Sequence, residues 1–255
     1  MRLDVSDPGI VAISRWIFNC YVVRDGGAGR PFVVDAGLPA NASDAVRFIT
    51  HELDGTPGDI AFLTVTHGHT DHLGGAPSFI EATGAPLYLP ARDADYLGGE
   101  RPRSPGPRAM LRIAPVLRDQ PFEASALAEF IKGARRAGFD GTGAMKCPSP
   151  VAGYLKDGDL LPNAPDWVVV STPGHTDDST SYYNEATSTL LSGDAVLTCR
   201  GRAWFNPEFV DRDRSQRTAG RLREFRVDHL FPGHGRPLHG EDLLSRAASS
   251  TERPG

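Results

Sequence analysis

The sequence predicts an α/β fold in which two sheets are each faced by helices, all within one domain spanning residues 1–255. Three observations carry that expectation. Short β-rich runs followed by a helical segment occur twice along the chain, the order expected of two sheets that must each bury a face. The 255 residues, 40% of them hydrophobic, suffice for one sizeable core. No tandem repeat is readable.

In the first half, Ile10 to Ile13, Ile17 to Val23 and Phe32 to Asp35 are rich in β-branched and aromatic residues and read as strands, with Asp25-Gly26-Gly27 as a hairpin turn. Ala42 to Glu52 reads as a helix with Ala45, Val46, Phe48 and Ile49 on one side and Ser43 as its N-cap. A buried strand at Ile60 to Thr66 runs straight into His67, followed by a helix near Gly75 to Ala82 and a strand at Pro86 to Leu89. The stretch from about 91 to 150 is different. Pro and Gly recur in it, one helical patch spans Ala124 to Ala137, and Gly141 to Pro150 is rich in turn residues. Such a segment reads as a lid or pocket-forming insertion. Strands resume at Trp167 to Ser171, Ser179 to Tyr183 and Leu190 to Ser192; a helix near Arg214 to Phe225 and a strand at His229 to Phe231 close the pattern.

Composition narrows the function classes. With 23% charged residues the chain is not of the disordered kind, and a net charge of −5 argues against a nucleic-acid binder that relies on bulk positive charge. Only Lys132, Lys146 and Lys156 are lysines among 27 basic residues, a coding bias. Cys20, Cys147 and Cys199 are odd in number and widely spaced, so neither a disulfide framework nor a CxxC metal site is expected. The segment Met1 to Ile10 carries Asp4 and Asp7 with no basic region before an apolar run, so no signal peptide is readable. No apolar stretch approaches the ~20 residues of a membrane span. The expected setting is cytoplasmic. The expected partner is a small-molecule substrate, not nucleic acid or membrane, with a homodimer left open.

The histidines are the informative residues. His67-Gly68-His69-Thr70-Asp71-His72 packs three imidazoles and a carboxylate into six positions at the end of an apolar strand. As structural groups they would repel when charged and waste burial when neutral, whereas a metal ion accepts neutral imidazole and carboxylate together. Three later segments repeat the arrangement of an apolar strand, a small-residue turn and a ligand-type side chain: Val168 to His175, Leu190 to Asp194, and His229 to His234. In each, a glycine just before the ligand lets the backbone approach a crowded centre. Five histidines and two aspartates suffice for two divalent ions with room for solvent. His51, His229 and His239 have no such context and read as structural or exposed. Cys199 reads as a small core residue. The arginines at 200, 202, 212, 214, 217, 221, 223 and 226 interleave with Asp211, Asp213 and Glu224 and read as a solvated helix face.

From Asn19 to His234 the chain resembles the metallo-β-lactamase-fold hydrolase superfamily. The resemblance rests on Asp35-Ala36-Gly37, Thr66-His67 leading into the histidine motif, Gly74-Gly75 after it, Thr172-Pro173-Gly174-His175-Thr176, Ser192-Gly193-Asp194 and Pro232-Gly233-His234-Gly235, in that order. It implies an αββα four-layer sandwich, two mixed β-sheets flanked by helices, with metals at one edge. It also implies that His67, His69 and His175 hold a first metal and Asp71, His72 and His234 a second, with Asp194 bridging. A hydroxide between two zinc ions would then attack the carbonyl of an ester, thioester or lactone, with Asp71 as the catalytic residue that orients it or takes its proton. Imidazole and carboxylate ligands suit iron or manganese as well as zinc.

Within the superfamily, Asp194 sets the chain apart from zinc β-lactamases proper, which have a cysteine or no ligand there. Glyoxalase II shares the seven ligands but resembles this chain only in its catalytic domain, since about twenty residues follow His234. Acyl-homoserine lactonases carry a tyrosine three positions after the bridging aspartate, where this chain has Leu197. The alternative reading is a persulfide dioxygenase using one iron, whose Gly-Arg element Gly201-Arg202 loosely resembles. Expected pocket residues are Phe122, Phe130, Phe139, Met145 and Trp204, with Lys146 and Arg202 as partners for an anionic group.

Overall fold

The computed structural model describes residues 1–6, 9–26, 29–140 and 143–252. Asp7, Gly27 and Gly141, on which part of the sequence reading fell, lie outside them. The first half forms β1 (Arg2–Ser6), β2 (Ile10–Arg15), β3 (Phe18–Gly26), β4 (Arg30–Val34), β5 (Leu63–Thr64), β6 (Leu87–Pro90) and β7 (Val151–Leu155). They make one seven-stranded sheet in chain order. Neighbours from β1 to β4 are antiparallel and those from β4 to β7 parallel. The second half forms β8 (Leu160–Leu161), β9 (Ala164–Ser171), β10 (Thr180–Asn184), β11 (Thr189–Gly193), a separate hairpin of β12 (Val196–Cys199) and β13 (Arg202–Phe205), then β14 (His229–Pro232) and β15 (Leu238–His239). The second sheet runs β15-β14-β11-β10-β9-β8, with β11 and β14 parallel and the other pairs antiparallel.

Two-residue alternation along these strands builds the layers. Ile10 and Ala12 of β2 point into the cluster between the sheets, where Tyr182, Leu191 and Phe231 arrive from the second sheet. Val11 and Ile13 point the other way, onto α1 (Pro39–His51) and α3 (Ala76–Thr83), against Ala45, Phe48, Ile49 and Phe79. On the second sheet Tyr183, Leu190 and Leu230 face outward and are covered by Leu222 of α8 (Arg212–Leu222). The order is helix, sheet, sheet, helix, the expected four-layer sandwich. Phe231 is fully buried between the sheets.

Some boundaries differ from expectation. The first helix starts at Pro39, whose missing N–H costs nothing in a first turn. Ser43 is therefore not its cap but lies inside, donating its hydroxyl to Pro39 O at 3.1 Å. The strand expected over Ile60 to Thr66 pairs as a ladder only at Leu63–Thr64, although Phe62 O still accepts from Val33 N–H at 3.1 Å. The 91–150 stretch is less irregular than its Pro and Gly content implies. It contains α4 (Asp93–Leu97), α5 (Pro107–Met110), a 3-10 turn over Leu111–Ile113, α6 (Ala114–Arg118) and α7 (Ala124–Arg136). Pro107 and Pro115 sit in first turns, where proline is tolerated. Among the described residues no helix is long and apolar enough to cross a membrane.

Candidate metal centre

Each candidate ligand sits where a strand or its following loop ends at one edge of the sandwich. His67 follows β5, and His69 leads into α2 (Thr70–Leu73), which carries Asp71 and His72. His175 lies between β9 and β10, Asp194 immediately after β11, and His234 just after β14. Two glycines make this crowding feasible. Gly193 has φ +49 and lies against Thr66, and a Cβ at Gly233 would meet Asp194 Oδ1 at 2.1 Å.

All seven predicted residues converge. The ligand atoms of His67, His69 and His175 lie within 4.8 Å of one another, as do those of Asp71, His72 and His234. In the first triad His69 Nδ1 is 2.9 Å from His67 Nε2 and 3.2 Å from His175 Nε2. Asp194 lies between the triads: its Oδ2 is 3.3 Å from both His175 Nε2 and His234 Nε2, and its Oδ1 is 3.6 Å from His72 Nε2. Asp71 Oδ2 is 3.2 Å from His234 Nε2.

The outer nitrogen of each ring decides what the inner one offers. His72 Nδ1 donates to Asp35 Oδ2 at 2.8 Å, His175 Nδ1 to Glu208 O at 2.8 Å, and His234 Nδ1 to Ile17 O at 3.1 Å. These acceptors have no proton to give, so each Nδ1 carries one and Nε2 is the atom left to bind an ion. His67 Nδ1 has Thr66 Oγ1 at 3.2 Å and His69 Nε2 has Ser104 Oγ at 3.2 Å, hydroxyls that can accept in the same sense. Such outer contacts orient metal-binding imidazoles. Inside the cluster, His72 Nε2 and Asp194 Oδ1 are buried with no hydrogen-bond partner. Buried polar atoms are normally paired, and a divalent cation between the triads would satisfy both. The residues present fit such an ion.

Electrostatics separates the triads. Burial holds His67 well below the usual imidazole range and takes His69 down to about 3. Burial also opposes charge on His72, but Asp35, Asp194 and Asp71 outweigh it and push it up to about 9. His234 is likewise raised despite burial, by Asp194 and Asp71. Burial disfavours charge on Asp71 and Asp194 as well, yet the neighbouring imidazoles hold both below the usual carboxylate range. The second triad therefore demands positive charge, which protons supply until an ion displaces them.

Supporting residues were less legible. Asp35 was seen only as part of a strand-end motif. It is buried at φ +57, a rare backbone for a non-glycine residue, and accepts from Thr66 N–H at 2.7 Å as well as from His72. Asp178 Oδ2 accepts the Gly68 N–H at 2.6 Å, between two ligands. Asn19 donates to Pro232 O and Gly235 O at 2.9 Å and so holds the His234 turn. Asn206 donates to Asp194 O at 2.9 Å and accepts from Glu208 N–H at 2.8 Å. Burial raises Glu208 above the usual carboxylate range. Asn206 and Glu208 had no motif to announce them.

The centre opens into a cavity of about 260 Å³. Phe130 and Phe139 line it, as expected, and the other expected lining residues do not. Met145 is buried in the helix-side cluster with Phe139. Trp204 packs away from the cavity against Ile17 and Leu197, and Phe122 is exposed, edge-on to Trp16. Lys146 is exposed in a short backbone pairing with Gly138. Arg202, exposed, starts β13 beyond a tight turn at Arg200-Gly201. Neither cation lines the cavity, so the expected anion site is not formed by them. His51, His229 and His239 lie away from the cluster, with His229 and His239 ring to ring, and Cys199 is buried in a core cluster. Three of the interleaved arginines pair with acids: Arg214 with Asp177, Arg221 with Asp157 and Arg226 with Asp228.

Comparisons with known proteins agree with this architecture. YflN, a probable metallo-hydrolase of Bacillus subtilis (strain 168), is 24% identical over 259 residues, covering 93% of this chain and 88% of that protein. For two further probable metallo-hydrolases of that organism, YybB and YqjP, the chain spans 63% and 66% of their length. A hydroxyacylglutathione hydrolase of Bdellovibrio bacteriovorus is 22% identical over 69% of this chain and 48% of its own. Among solved structures, a Cronobacter sakazakii metallo-beta-lactamase with a HARLDQ motif superposes with a TM-score of 0.61 at 18% identity, over 92% of this chain and 78% of that one. TTHA1623 in a di-iron-bound form superposes with a TM-score of 0.57 at 21% identity, over 90% and 93%. Both structural likenesses speak to the fold. The metallo-beta-lactamase superfamily model matches residues 15–234, the span from the end of β2 to the last candidate ligand, and the chain belongs to that superfamily.

Proposed function

We propose that this protein is a dinuclear zinc hydrolase that cleaves a carboxylic ester, thioester or lactone of a small molecule. The observation that carries this reading is the pair of triads sharing Asp194, with inward-facing ring nitrogens, at the floor of a cavity. In this reading His67, His69 and His175 hold one ion, Asp71, His72 and His234 the other, and Asp194 both. When bound, the ions supply a water activated near neutral pH and polarise the scissile carbonyl. Asp71 is the more accessible of the cluster's two carboxylates, its side chain 14% exposed against 3% for Asp194, and it lines the cavity. It orients the attacking water and takes its proton, and that proton passes to the departing alkoxide or thiolate. Water adds to the acyl carbon and the bond to oxygen or sulfur breaks; an ester or thioester leaves as a carboxylic acid and an alcohol or thiol, and a lactone as a single hydroxy acid.

The one-iron alternative draws no support from Gly201-Arg202, because that pair lies at the β12–β13 turn outside the cavity lining. TTHA1623 carries two irons, which keeps the choice of metal a matter for measurement. The test is an assay of zinc-loaded protein against a panel of esters, thioesters and lactones, before and after chelation, with oxygen uptake on a persulfide as the opposing arm. Chelator-sensitive hydrolysis supports the reading. Oxygen uptake with one iron per chain and no hydrolysis overturns it.

A further inference from the structure

The cavity over the metal centre differs from its surroundings in a way that specifies a substrate class. Apart from the candidate ligands, its walls are mainly apolar, with Trp16, Phe18, Met110, Ile113, Leu117 and Phe130 among them. Among the described residues neither lysine nor arginine lines it, and every charged lining group other than histidine is an acid, Asp71, Asp140, Asp194 and Glu208. The basic residues of this neighbourhood face elsewhere. The segment from Met110 to Arg118 forms a wall with two faces: Met110, Ile113 and Leu117 line the metal cavity. Leu111, Arg112, Pro115 and Arg118 line a separate, larger cavity of about 770 Å³ together with Arg200 and Arg212. At the mouth the apolar surface continues outward, since Met110 and Leu127 both line the cavity and are exposed. Exposed Phe122 lies edge-on to Trp16 with ring centroids 5.0 Å apart.

Resting on the hydrolytic reading of the centre, we infer that the acyl group of the substrate is a neutral, unbranched or aromatic hydrocarbon chain seated between Trp16, Ile113, Leu117 and Phe130, and that substrates with an anionic acyl tail are rejected. A carboxylate on that tail would lie between apolar side chains with no lysine or arginine among the described lining residues to pair with, and would lose its hydration. A hydrocarbon chain instead gains roughly 0.8 kcal/mol per buried methylene, or about three- to fourfold in affinity. The cavity lies just below the ~300–1,000 Å³ range of ligand pockets, which suits a chain of moderate length with its end at the exposed rim.

The test uses two readouts on the full chain. Zinc-loaded protein is assayed with p-nitrophenyl esters of acetic, butanoic, hexanoic and octanoic acids and with the p-nitrophenyl monoester of octanedioic acid. In parallel, calorimetry measures binding of acetamide, butanamide, hexanamide, octanamide and the monoamide of octanedioic acid. Both kcat/KM and affinity are expected to rise about three- to fourfold per methylene. The octanedioic compounds should fall at least about tenfold below the octanoic ones. Met110→Arg, a substitution at an exposed position, is expected to weaken octanoyl binding and strengthen that of the octanedioic monoamide. Length-independent binding, or preference for the anionic chain in the unaltered protein, overturns the inference. Length-dependent amide binding with no hydrolysis of any ester, thioester or lactone upholds the cavity assignment while removing the hydrolytic reading. Ester hydrolysis without length dependence does the reverse.

Discussion

Two triads face each other across Asp194, and they are prepared for a cation by different means. The first, His67, His69 and His175, is made of imidazoles alone, and burial keeps His67 and His69 neutral. The second, Asp71, His72 and His234, sits among carboxylates, with Asp35 behind His72 at 2.8 Å and Asp194 beside His234 at 3.3 Å. There the imidazoles are drawn toward the protonated form despite burial. The difference implies two modes of metal binding. His67 and His69 of the first triad present ready lone pairs to an incoming ion, whereas His72 and His234 of the second exchange protons for it.

Substitutions can break this contrast selectively. Removing the shared ligand has the largest expected effect: Asp194→Ala should lower metal content at both positions and reduce hydrolysis by on the order of a thousandfold or more, the consequence of losing several kcal/mol of charge stabilisation. Elemental analysis and kinetics check it. His69→Ala should empty the first position and collapse activity while leaving the second able to take metal. Retention of two metals with unchanged kcat would refute the assignment of His69. Asp35→Asn removes the charge directly behind His72, while Asp35 meets the first triad only at one remove, through Thr66 beside His67. It should weaken the second ion about 10- to 100-fold and the first much less, as read by competition with a chelator. The smallest effect is expected for Asn206→Ala, which deletes one hydrogen bond to Asp194 O and one from Glu208 N–H. A stability loss of about 1–3 kcal/mol by denaturant unfolding, with two metals retained, is the outcome anticipated.

The comparison also shows which parts of the molecule were readable in advance. All seven convergent residues were legible because each is announced locally, by a histidine-dense motif or by an apolar strand ending in a glycine turn, and the sandwich brings those strand ends to one edge. The layers were legible for a related reason: alternation such as Ile10 and Ala12 against Val11 and Ile13 assigns residues to opposite faces without tertiary knowledge. Residues that orient the ligands were harder to find. Glu208 acts on His175 through a backbone carbonyl, which any residue type could supply, and Asn206 reaches Asp194 across a loop with no periodic pattern. Cavity walls were the least readable. Met145 and Trp204 have the right chemistry, but Met145 lies under Gly68 and Trp204, on β13, packs in the hairpin cluster and donates to Ser249 O, contacts between distant segments that no local pattern announces. Prolines there suggested irregularity, yet Pro107 and Pro115 open helical turns.

The most direct test of two triads sharing one carboxylate is the metal stoichiometry of the purified protein by elemental analysis, before and after dialysis against zinc. About two ions per chain, falling to one in Asp35→Asn under mild chelation, is the result predicted. No stoichiometric metal even after loading, or a single ion that His69→Ala leaves in place with full activity, would contradict it.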